Sequence, residues 1–153
     1  LGLVRDTALQ DAIVRSCEEL LVPGAIRSLA DRPVRHLLPV QLDGRDLNDP
    51  RNPYQGRYEG DEDTRRKPAY HNGTAWTWLC PSYCEALAIT HGPSVRRRAL
   101  DLLGSSLDAI NHGCLGHMPE ILDGDAPHTQ RGCGAQAWAA SELYRVLAFL
   151  THG

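Results

Sequence analysis

Apolar positions along this chain gather into stretches of helical spacing, separated by long polar segments. In residues 7–21, Leu9, Ile13, Cys17, Leu20 and Leu21 fall on one helical face. Thr7 with Gln10 reads as a capping box, and Pro23-Gly24 ends the element. The period resumes over 74–90 with Trp78, Leu79, Tyr83, Ala86 and Leu87. Pro81 interrupts it and predicts a new turn or a kink. Gly92-Pro93-Ser94 opens a further helix. Its inward face carries Val95, Ala99, Leu102, Leu103, Ser106, Leu107 and Ile110, and Gly113 supplies the stop. A last helix covers 134–151, with Trp138, Leu143, Val146, Leu147 and Leu150 inward.

Between these helices the period fails. Residues 23–69 are rich in Pro, Gly, Arg and Asp, and so long an irregular stretch in a compact domain is functional or disordered. The tyrosines of "NPYQGRYEG" give it means to pack, which favours an ordered loop. Residues 114–133 form a second loop, rich in Gly, His and Asp. No internal repeat and no sheet-forming alternation stands out. The expectation is a mainly α fold with its chemistry on loops at helix ends.

Composition narrows the function. The chain has 153 residues and a formal net charge of −3, so it offers no basic field for a nucleic-acid backbone. No apolar run reaches the roughly 20 residues of a membrane span. The opening "LGLVRDTALQDAIV" lacks the order of a signal peptide and reads as a lead-in to a helix. It does not begin with Met, which suggests a piece of a longer protein. The five cysteines, Cys17, Cys80, Cys84, Cys114 and Cys133, are odd in number and point to free thiols in a reducing compartment.

Two segments carry candidate chemistry. "YHNGTAW" (70–76) combines an imidazole, an amide and aromatic rings, the groups that bind sugar hydroxyls and C–H faces. It reads equally as a capped helix start with a core Trp. "GHMPEILDGDAPHTQRGCGAQAW" places Glu120, Asp123 and Asp125 close together, beside Arg131, His117, His128 and Gln136. A carboxylate there can act as a general base on water, and Arg131 can pair with one acid. Solvated acids on an Asp-Gly turn are the plainer reading. Cys114-x2-His117 with His128-x4-Cys133 approaches zinc spacing, but the scattered Pro and Gly do not fit a zinc finger. No Walker loop, Rossmann fingerprint or nucleophile elbow is present.

Taken in order, "NPYQGRYEGDEDTRRKPAYHNGTAW", "CEAL" and "GHMPEILDGDAPHTQRGCGAQAWAASELYRV", with "GAIRSL" upstream, resemble the C-terminal amylo-α-1,6-glucosidase domain of glycogen debranching enzymes. The resemblance implies an (α/α)6 toroid of the six-hairpin glycosidase type. It implies hydrolysis of α-1,6-linked glucose branches of glycogen or related α-glucan, with inversion, without cofactor or metal, in the cytoplasm. By position, Glu120 resembles the general base. His71, Asn72, Trp76, Asp123 and Gln136 become candidate substrate contacts, and Arg131 or His71 candidate donors to Glu120. The family's general acid lies in a Trp-Met-Asp motif, whereas the single Met here is Met118. Residues 1–153 therefore read as the C-terminal fragment of one catalytic domain, inactive alone and prone to self-association. A non-catalytic carbohydrate-binding or interaction module is the alternative, followed by a zinc-stapled module.

Overall fold

The structure, a computed structural model, describes residues 3–152; Leu1 and Gly2, which head the stretch read as a helix lead-in, and Gly153 lie outside the described residues. Helices dominate. The long ones are α1 (Thr7–Glu18), α3 (Leu79–His91), α4 (Arg96–Ala109) and α5 (Ala137–His152), with a short α2 (Lys67–Tyr70) that continues a π-helical turn at Glu62–Arg66. The strands are β1 (Leu21–Val22), β2 (Ala25–Arg27), β3 (Gln41–Leu42), β4 (Arg45–Asp46), β5 (Ala75–Trp76), β6 (Ile121–Leu122) and β7 (Gln130–Arg131).

Helix α3 is the hub, packing against α1, α4 and α5, while α4 also packs against α5. Cys80, Cys84 and Leu87 of α3 meet Val14, Ala99, Leu103, Leu143, Val146 and Leu150 in one buried cluster. Each fully buried Leu there contributes roughly 1.5–3 kcal/mol through loss of water contact. At the start of α4 the Arg96 guanidinium donates to the carbonyl of Leu150, near the end of α5, which ties these antiparallel helices together.

The sheet is what hydrophobic spacing did not reveal. Five strands run in the order β1-β2-β5-β6-β7, each pair antiparallel. Most are two residues long, too short to show an alternating pattern. α1 and α4 lead into this sheet, and α3 and α5 emerge from it, so the sheet caps one end of the helices.

Several local expectations need correcting. α3 starts at Leu79 rather than 74, because Ala75 and Trp76 pair with Leu122 and Ile121. Pro81 therefore falls in the first turn, where its missing N–H would have had no helical partner, and no kink is needed. The cap of α1 is Asp6, whose carboxylate accepts from the amides of Ala8 and Leu9, not a Thr7–Gln10 box. α1 buries Val14, while Leu9 and Ile13 are exposed. Trp138 was expected inward but stands 46% exposed on α5.

Candidate functional site

Glu120 sits immediately before β6 in a frame of backbone bonds. Its amide donates to the Cys133 carbonyl at 2.8 Å. The fully buried Thr77, between β5 and α3, donates its hydroxyl to the carbonyls of Pro119 and Glu120. The carboxylate is held as well. Oε1 accepts from the Tyr70 hydroxyl, and Oε2 accepts from the Cys133 amide at 3.0 Å. A carboxylate has about four lone-pair sites, so these two bonds fix its orientation and leave acceptor capacity free. The donors are thus a phenol and a backbone amide, not Arg131 or His71.

Two features keep this clamp in place. The Tyr70 hydroxyl is held protonated: partial burial, then donation to the Glu120 carboxylate and the charge there, push its pKa up to about 12. Gly132, with φ of 66°, allows the chain to pass close to the carboxylate; a Cβ at that residue would collide with Glu120 Oε2.

From Tyr70 an aromatic wall extends outward. Its ring meets Trp76 edge-on at 4.8 Å, and its carbonyl accepts from the Trp76 indole N–H at 3.2 Å. His71 lies parallel to Trp76 at 5.3 Å. Trp138 stacks on Trp78 at 5.3 Å and meets Trp76 edge-on at 6.4 Å. A shallow cleft of about 300 Å³ is lined by His71, Trp76, Trp78, Leu79, Trp138 and Ser28. A more polar cleft of about 580 Å³ lies by Tyr54, Gln55, Arg57, Glu59 and Asp125.

The remaining candidates take different places. The Asn72 side-chain amide donates to the Pro68 carbonyl at 2.7 Å, which closes the turn that presents His71. Asp123 is fully buried. One of its oxygens accepts from the Tyr58 amide at 2.7 Å and the other from Arg131 Nε at 3.0 Å, so its position is internal rather than facing a ligand. Arg131 also reaches Glu59. Asp125 accepts from the Tyr54 hydroxyl at 2.9 Å. The Gln136 backbone amide donates to Met118 at the entry to α5, and its side chain is half-buried. His128 bonds the Asp123 carbonyl through Nδ1, and His117 is exposed. Among the described residues, no three His, Cys, Asp or Glu side chains form a metal-ligand set.

Sequence reasoning did not assign Gly132, the Cys133 amide or Trp78 to the site. The resemblance did place Tyr70, in "YHNGTAW", and Trp138, in "AQAW", on the pocket wall, but not Tyr70 as a donor to Glu120. The backbone amide had no signal in the sequence.

Residues 8–145 match the model of the family described as amylo-alpha-1,6-glucosidase. The chain belongs to that family. The match begins inside α1 and ends inside α5, so it takes in the whole five-stranded sheet, Glu120 and the aromatic wall. A comparison with curated proteins finds no match. Membership in the amylo-alpha-1,6-glucosidase family makes this a chain of glycosidase type. No described helix is long and apolar enough to cross a membrane.

Proposed function

We propose that this chain carries the general-base half of an inverting amylo-α-1,6-glucosidase site acting on the branch glucose of an α-glucan. The observation that carries the reading is the Glu120 carboxylate, held by two neutral donors beside an aromatic wall whose outer rings, His71 and Trp138, are exposed. Glu120 takes a proton from a water as that water attacks the anomeric carbon. The bond from that carbon to the leaving oxygen breaks, and the oxygen receives a proton from a second carboxylic acid. Inversion needs the two carboxyls roughly 6.5–9.5 Å apart, with the water between Glu120 and the sugar.

Asp123 is a poor candidate for that acid, since it is buried with both oxygens engaged. We place the acid in polypeptide upstream of Leu1, within the remainder of an (α/α)6 toroid that these helices complete. His71, Trp78 and Trp138 then face the sugar's C–H surfaces, with the buried Trp76 backing His71 and Gln136 at the rim. Asn72 and Asp123 act by holding the turns that carry His71 and Arg131. The odd complement of free thiols supports a cytoplasmic setting.

The test is the anomer of freshly released glucose. The intact protein containing this chain, given a glucan with single α-1,6-linked glucose branches, is expected to release β-glucose first, read by NMR before mutarotation. Initial α-glucose would contradict inversion, and absence of glucose would contradict the glycosidase reading.

A further inference from the structure

We propose that Cys114 and Cys133 form a reversible thiol modification site, closed to a disulfide by low-molecular-weight disulfides, against the backbone that holds Glu120. Both cysteines are exposed, whereas Cys80 and Cys84 are buried. The two loops touch: a Cβ on Gly134, the residue after Cys133, would lie 3.2 Å from the Cys114 Cβ. Gly134 carries no side chain there to separate them. Gln130 of β7 donates to the Ala109 carbonyl at 3.1 Å, which ties the end of α4, five residues before Cys114, to the strand that leads to Cys133.

A disulfide needs Cα atoms roughly 4.4–6.8 Å apart. Cys133 precedes the residue that meets Cys114 and lies outside helix and strand; its thiol donates to the Ala135 carbonyl at 3.5 Å, so closing the link requires that thiol to turn from Ala135 toward Cys114. The consequence is local. Cys133 donates its amide to Glu120 Oε2 and accepts from the Glu120 amide, so any shift of Cys133 reaches Glu120 directly.

The chemistry closes without a metal. One cysteine thiolate attacks the small disulfide, forming a mixed disulfide and expelling one thiol. The second cysteine then attacks the protein sulfur of that mixed disulfide and expels the second thiol. The protein dithiol loses two protons and two electrons in total, and the small disulfide takes them up to become two thiols.

The test is oxidised glutathione on the folded protein, followed by non-reducing peptide mapping. The expected result is one peptide joining Cys114 to Cys133, lighter by two hydrogens and split by dithiothreitol. In C114S, Cys133 should instead retain a glutathione adduct. Separate adducts on both cysteines of the wild-type protein, or no reaction at either, would overturn the proposal. This mass readout does not depend on the catalytic reading. In the intact enzyme the link should lower glucose release roughly tenfold or more, reversibly. Linkage with unchanged release would uphold the thiol site and count instead against Glu120 as the base.

Discussion

The Tyr70 hydroxyl donates to the Glu120 carboxylate across a separation of 50 residues. The bond joins the end of α2 to the start of β6 and brings together two segments that look independent in sequence. Because partial burial and the carboxylate raise the Tyr70 pKa to about 12, its neutral form is favoured in the folded chain. This contribution to stability is full below the ordinary tyrosine value near 10 and is lost as pH rises through about 12. Replacing Glu120 with Gln removes the negative charge, so the Tyr70 pKa is expected to fall toward 10. An NMR titration of the Tyr70 ring reads this; an unmoved value would show that the carboxylate does not act on Tyr70.

Gly132→Ala should be far more harmful to function than Gly44→Ala. Both glycines have positive φ, so each alanine carries backbone strain of roughly 1–2 kcal/mol. Only at Gly132 does the new methyl group collide with Glu120; at Gly44 nothing lies within 4 Å. Similar melting shifts with selective loss of glucose release in Gly132→Ala are expected. Equal activity in the two variants would contradict the close approach.

Trp138→Ala separates binding from folding. The ring is exposed and stacks on Trp78, so its removal should cost the fold only about 0.5–1.5 kcal/mol. Glucan affinity should fall about tenfold, read by calorimetry. Unchanged affinity would remove Trp138 from the sugar wall.

Asp123→Ala should act chiefly on stability. It leaves the Tyr58 amide unpaired and frees Arg131 from its buried partner, at a cost of roughly 3 kcal/mol in a denaturant titration. A stable variant with weakened glucan binding would instead make Asp123 a substrate contact.

The sequence disclosed the longer elements because α3, α4 and α5 bury residues at helical spacing along one stripe. It did not disclose the sheet. Ala75-Trp76 and Ile121-Leu122 are apolar pairs that continue a helical or loop pattern equally well, and only their pairing makes them strands. Trp138 misled for a related reason: a large apolar ring normally faces the core, and here it serves an exposed stack. Glu120 was legible from its motif. Its partners were less so, because one is a backbone amide with no side-chain signature and the other lies 50 residues away.

The most direct test of the account is Glu120→Gln in the intact enzyme, measured for glucose release from an α-1,6-branched glucan and for glucan binding. The amide keeps the size of the side chain but cannot accept a proton from water. Turnover is expected to fall by at least about a hundredfold while binding stays largely intact. Near-normal turnover in this variant would contradict the assignment of Glu120 as the general base.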